Sequence, residues 1–255
     1  LVANNIDVVI ISKYIGLAQV VTYTSYMYII NTLVTIFSKL STATSSGIGN
    51  LLATEPEKAY DKFLEYNSFV FFLATIICVP LYYAISPFVS IFYGSSYVVN
   101  NFTCLLFIFL VFYNIIRTIF NIFVNAAGLF KETIICVYIE VSINLVLSLI
   151  LIKYLGITGV ILATSIAYVV SEYILKPSII NKNVFKNKIS IYYKDCFIYF
   201  IIIIINLCLV YFAKNILIVS NLFNWVIFSG IIFVCNLLIT FIYYKLKKEL
   251  MLFSH

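Results

Sequence analysis

Five ionisable residues of this 255-residue chain stand inside long apolar runs: Lys39, Arg117, Asp7, Glu140 and Glu172. A charge at the centre of a lipid-spanning helix costs about 2.5–3.5 kcal/mol on insertion scales, so such residues face protein or a wet cavity. An arginine and a lysine among hydrogen-bonding side chains suit an anionic group, with Arg able to grip it through two parallel N–H bonds. The plainer alternative is that the five charges pair with one another, or snorkel, and hold a bundle together. Glu172, near the end of its apolar run, is expected to snorkel.

The neighbours of these charges recur at helical spacing. Asn114, Arg117, Asn121 and Asn125 are three and four apart and share one helix face, as do Glu140, Asn144 and Ser148. Thr24, Tyr28, Asn31, Thr35, Ser38, Thr42 and Ser45 are spaced 4, 3, 4, 3, 4 and 3, with Lys39 on the same face four residues after Thr35. Interhelical hydrogen bonding in a dry bundle uses Ser, Thr and Asn in this way. Seven positions in register with a cation among them favour a water-accessible cavity. In the same run Ala43 with Gly47, and Ser45 with Gly49, are small pairs four apart, expected to let a neighbouring helix approach.

Lipid-spanning helices must position these stripes. The chain is 64% hydrophobic and 10% charged, with a mean hydropathy of +1.09, where a soluble domain carries about 25% charged residues. The sequence therefore predicts an all-α integral membrane protein, a polytopic helix bundle. Apolar windows of about 20 residues give a partial span at 1–12 and full spans at 18–52, 67–86, 102–125, 132–152, 157–176, 195–213 and 222–244. Breakers fall between them at "KYIG" (13–16), "TEPEK" (54–58), "SPF" (86–88), "KYLG" (153–156) and "KPS" (176–178). The phrases "KYIGLAQVV" and "KYLGITGVI" fit either an internal repeat or one solution used twice, interfacial Lys and Tyr with Gly ending a helix. The opening "LVANNIDVVIIS" measures about half a span and is expected to be the tail of a helix from a longer protein.

Counted over alternate loops, Lys58, Lys62, Lys131, Lys176, Lys182, Lys186, Lys188, Lys194, Lys245, Lys247 and Lys248 fall on one side and Lys13, Lys153 and Lys214 on the other. Eleven against three predicts that the first side, with the C-terminus, is cytoplasmic. A cationic half near that side suits an anionic headgroup entering from the cytoplasm.

Several chemistries are excluded or disfavoured. The only histidine is His255, and the six cysteines form no C-x-x-C, so neither a metal nor a cofactor is expected. "GIGN" lacks the third glycine of a dinucleotide loop, and no P-loop occurs. Nothing reads as a nucleic-acid site. A membrane-embedded glycosyltransferase or polymerase calls for acid/base residues in a sizeable outward loop, and these loops are short and carry only lysines as charges; no enzyme is expected.

Three passages together resemble the oligosaccharide flippases of bacterial polysaccharide synthesis, in the multidrug/oligosaccharidyl-lipid/polysaccharide (MATE/MOP-type) exporter superfamily. They are "NNIDVVIISKYIGLAQVVTYTSYMYIINTL" (4–33), "SSGIGNLLATEPEKAYDKFLEYNSF" (45–69) and "NAAGLFKETIICVYIEVSINLVLSLILIKYLGITGVILATSIAYVVS" (125–171). The resemblance implies a C-terminal six-helix transporter lobe at 1–176, a basic cytoplasmic loop at 177–194, two additional helices at 195–244 and a cytoplasmic tail at 245–255. It implies a bacterial plasma-membrane transporter that works with an N-terminal lobe of the same protein. The implied substrate, beside membrane lipids, is a lipid-linked oligosaccharide on undecaprenyl diphosphate. In that setting Arg117 and Lys39 neutralise the diphosphate while Asn31, Thr35, Asn114, Asn121 and Asn125 bond sugar hydroxyls. Asp7 and Glu140 pair with the cations in the empty state or carry a coupling ion or proton. The alternative within the superfamily is an ion-coupled multidrug extruder.

Overall fold

The computed structural model describes the backbone of residues 2–186, 189–213 and 221–246, and the side chains of these except 2–5, 40–43, 210, 212–213 and 243–246. Thr42, Ala43, Lys188, Lys214, Lys245, Lys247, Lys248 and His255 thus lie outside the described side chains. Every described element is helical. The α-helices, in chain order, are α1 (Val2–Tyr14), α2 (Leu17–Thr54), α3 (Ala59–Phe92), α4 (Asn101–Ala127), α5 (Phe130–Leu155), α6 (Ile157–Tyr168), α7 (Lys176–Ile180), α8 (Ser190–Ala213) and α9 (Leu222–Leu246), with short 3₁₀ turns at Pro56–Lys58 and Ser95–Tyr97. Two π-helical turns, Val169–Leu175 and Asn181–Phe185, join and extend α6 and α7, so 157–185 runs as one long helix. Seven helices among the described residues are long and apolar enough to cross a membrane, one for each full span read from the sequence.

Helices change direction where the backbone needs a residue without a side chain. Gly16 ends α1 at φ 104° and Gly156 ends α5 at φ 59°, and these are the glycines of "KYIG" and "KYLG". The two turns lie side by side, with Ile15 Cδ1 3.7 Å from where a Cβ on Gly156 would stand. At the other end Gly128 caps α4 in the left-handed conformation, and the Asn100 side chain accepts from the Thr103 N–H at 2.8 Å to start it.

Two expected breaks are absent. "SPF" lies inside α3, which continues past Pro87 to Phe92. "KPS" lies inside the 157–185 helix, so the basic loop shrinks to the short connection after Phe185. A proline removes one N–H and breaks a helix only when nothing else satisfies the freed carbonyls. Pro177 stands inside this continuous helix, directly after the π-helical turn Val169–Leu175, which takes up the register around it. In α3 the carbonyls deprived by Pro80 and Pro87 are those of Ile76 and Tyr83. One residue away from each, Asn236 donates to Thr75 O at 3.0 Å and Trp225 Nε1 donates to Ala84 O at 2.8 Å. With Tyr83 Oη donating to Leu207 O at 2.8 Å, these bonds fasten α8 and α9 to α3. In lipid such bonds and close packing hold helices together, because acyl chains are as apolar as the side chains they replace.

α4 is the central helix, packed by α2, α3 and α6. Phe107, Val111, Ile115, Ile119 and Phe123, four apart, are all buried along its core face. The turn at Gly156 folds α5 back against α6 so closely that a Cβ on Gly159 would stand 2.4 Å from the Leu151 carbonyl oxygen. The small residues of α2 behave otherwise: a Cβ on Gly47 or Gly49 would meet nothing within 4 Å, so they do not seat a neighbouring helix among the described residues.

Candidate functional site

α4 has a second face, and it is polar. Asn114, Arg117, Thr118, Asn121 and Asn125, with Val34 and Ser38 of α2, line a cavity of about 350 Å³. It opens along the half of α4 that leads to the lysine-rich end of the bundle. Periodicity alone assembles this wall: positions 114, 117, 121 and 125 turn together to the side opposite the buried row.

Arg117 is half-buried at the back of the cavity. Its Nη2 lies 3.4 Å from Glu172 Oε1, its guanidinium stands 5.7 Å from the centre of the Tyr168 ring, and its Nε has no partner among the described residues. Glu172 is 1% exposed, so it does not snorkel, and Lys176 Nζ donates to both of its carboxylate oxygens at 2.5 Å. Lys176 is itself buried and is not a loop lysine. The reason is the unbroken helix: residues four apart share a face, so Glu172 and Lys176 both turn inward. Lys176 Nζ also lies 3.4 Å from Asn121 Oδ1. Lysine only donates, so it fixes the amide with its oxygen inward and leaves the NH₂ for the cavity.

The carboxylates expected to pair with the cations go elsewhere. Glu140 accepts a hydrogen bond from Ser171 Oγ at 2.9 Å, one residue before Glu172, and makes no ion pair among the described residues. Asp7 is buried among hydroxyls, its Oδ2 accepting from Tyr23 Oη at 3.1 Å and Thr164 Oγ1 at 3.4 Å. Thr164 also accepts from Asn144 Nδ2 at 2.7 Å, and Ser148 Oγ donates to Asn144 Oδ1 at 3.5 Å. The other oxygen, Asp7 Oδ1, is buried with no partner among the described residues. The face holding Glu140, Asn144 and Ser148 is thus divided between two clusters, one around Arg117 and one around Asp7.

The α2 stripe contributes less to the cavity than its spacing suggests. Asn31, Thr35 and Lys39 are exposed and lie outside the cavity lining, and Lys39 makes no ion pair among the described residues. Thr35 Oγ1 donates to Asn31 O at 2.7 Å, its own helix backbone, as Thr24 of the same stripe and the neighbouring Thr32 also do. The structure therefore brings together Arg117, Asn114, Asn121 and Asn125, and leaves Asn31, Thr35, Lys39 and Asp7 apart from them. Sequence reasoning missed Lys176, Tyr23, Thr164 and Ser171. The four-residue spacing of Glu172 and Lys176 was a usable signal for the first.

A second and larger cavity, about 530 Å³, lies toward the opposite end between α2, α3 and α9. Its wall is aliphatic and aromatic, including Tyr28, Leu81, Phe88, Phe92 and Trp225.

Compared with known proteins, the chain matches no family model, no curated protein and no solved structure.

Proposed function

We propose that this protein carries an anionic lipid headgroup across a membrane, and that the headgroup is an oligosaccharide on undecaprenyl diphosphate moving out of the bacterial plasma membrane's cytoplasmic leaflet. The observation that carries the reading is the cavity in which one guanidinium and three asparagines face a common space. Arginine with free N–H groups suits a diphosphate, and neutral amides that both donate and accept suit sugar hydroxyls. The lysine-rich end, with Lys58, Lys62, Lys131 and Lys182 exposed or at the helix ends, is taken as cytoplasmic. The exposed side of α2 with Asn31, Thr35 and Lys39 is then the wall that faces a second lobe of the same protein.

Translocation of a lipid-linked oligosaccharide into proteoliposomes tests the reading. Arg117→Ala is expected to lower the rate roughly 10–100-fold, the worth of a charge-assisted hydrogen bond lost. The fold tolerates the change because Lys176 keeps Glu172 paired. Lys39→Ala, outside the cavity lining, is expected to have the smaller effect. Unchanged rates in both variants would sink the proposal.

Asp7 favours ion coupling, which a multidrug extruder shares. A buried carboxylate with one oxygen bonded to hydroxyls and the other unpartnered is a fitting carrier for a proton or small cation. Asp7→Asn keeps an oxygen for Tyr23 and Thr164 but loses the charge. Transport in that variant is expected to become indifferent to imposed proton and sodium gradients. A headgroup carrier and a drug extruder then differ in cargo: export of lipophilic cations with no movement of lipid-linked sugar would favour the extruder.

A further inference from the structure

We propose that Glu172 sets how tightly Arg117 holds an anion, drawing on the guanidinium from the side away from the cavity so that a bound diphosphate is released. The inference rests on the reading that the cavity receives a diphosphate.

The layering of the charges carries the argument. The Arg117 side chain is 28% exposed, and behind it Glu172 and Lys176 are 1% and 6% exposed. An anion in the cavity meets Arg117 first, and Glu172 only through it. Glu172 faces the guanidinium at Nη2 as an ion pair, and Nε is buried with no partner among the described residues. With the side chain 28% exposed and five N–H groups in all, donors other than Nε remain for an incoming phosphate. A carboxylate 3.4 Å behind the guanidinium nevertheless repels an anion in front of it. At an effective dielectric constant of about 20 that repulsion alters affinity roughly ten-fold or more.

Lys176 moderates this effect. At 2.5 Å it lies closer to Glu172 than Arg117 does at 3.4 Å, so it takes the larger share of the carboxylate and leaves Arg117 most of its charge. It also bonds Asn121 through the amide oxygen. From α5, Glu140 is the other carboxylate in the neighbourhood, held by Ser171. The segment presenting Glu172 is the π-helical turn Val169–Leu175, a geometry found often at functional positions.

The two buried partners should consequently act with opposite sign. Glu172→Gln removes the repulsion and tightens anion binding. Lys176→Gln lets Glu172 bear fully on Arg117 and weakens it. If the cluster served only to hold helices together, both changes would weaken binding.

Titration calorimetry on the full chain in phosphatidylcholine nanodiscs, with inorganic pyrophosphate and farnesyl diphosphate as probes, makes the test; thermal unfolding verifies that each variant is folded. Glu172→Gln is expected to bind about ten-fold tighter and Lys176→Gln several-fold weaker. Arg117→Ala combined with Glu172→Gln is expected to lose binding. In transport, Glu172→Gln is expected to lower KM and kcat together, because tighter holding slows release. Tightening for both probes supports the inference with the diphosphate itself as the group read, and tightening for farnesyl diphosphate alone supports it with a lipid-borne headgroup. Folded Glu172→Gln that binds no tighter than wild type overturns the inference, while the diphosphate reading stands if Arg117→Ala still removes wild-type binding. Should neither wild type nor Glu172→Gln bind either probe, both fall.

Discussion

Replacing Lys176 with methionine is expected to destabilise the bundle by about 3–5 kcal/mol, the cost of leaving a buried charge without its partner. Methionine fills the same volume as the lysine stem, so the loss is that of the ammonium and not of packing. Glu172, 1% exposed, would keep only Arg117 at 3.4 Å, which holds the effect near the lower end of that range. The control is close at hand. Lys182 lies six residues further along the same helix and is exposed, so Lys182→Met is expected to change stability by less than about 0.5 kcal/mol. Unfolding in detergent, by heat or by denaturant, measures both. Equal effects would mean that Lys176 sits in water, as a lysine before a proline suggests when only the sequence is read.

Gly159→Ala is expected to cost about 3 kcal/mol, the upper end of ordinary overpacking. The atom in the way is the Leu151 carbonyl oxygen, 2.4 Å from the new methyl, and the carbonyl carbon stands 2.6 Å away. A side chain would swing aside, whereas a backbone carbonyl moves only with its helix. α5 and α6 must therefore part, and with them the bonds Asn144 to Thr164 and Ser171 to Glu140 that cross between the two halves. The sign reverses at Gly47 and Gly49. Among the described residues nothing stands within 4 Å of a methyl at either, and both lie inside α2. Each Gly→Ala change there is expected to stabilise by about 0.5–1 kcal/mol through helix propensity alone. The comparison is read from unfolding midpoints of the three variants. Stabilisation at 159 or loss at 47 and 49 would contradict the packing described for these helices.

The spans were legible because lipid imposes one rule on all of them: every backbone polar group must be satisfied within its helix. Stretches near 20 apolar residues can meet that rule only as helices. Glycines 16 and 156 were legible as turns because nothing else ends a helix so readily. The polar wall of α4 was legible because four residues at spacings of three and four can only share a face. Proline misled twice. Pro87 and Pro177 read as stops, yet the first lies in a helix fastened to α9 close by and the second follows a π-helical turn within one continuous helix. Partner choice was not legible at all. That Arg117 meets Glu172 and not Glu140, and that Asp7 meets Tyr23 and Thr164, depends on how far each helix is rotated, which spacing within a single helix does not determine.

Trp225 gives the molecule its own optical reporter. It is the sole tryptophan in the chain, its indole N–H is held to Ala84 O, and its ring lies 5.2 Å from Phe88 in the wall of the larger cavity. Its emission therefore arises from one place, the seam between α3 and α9. A red shift marks water entering that seam, and quenching by brominated acyl chains marks lipid there. The wavelength of a single native fluorophore thus distinguishes wet, lipid-filled and closed forms of the groove without a label.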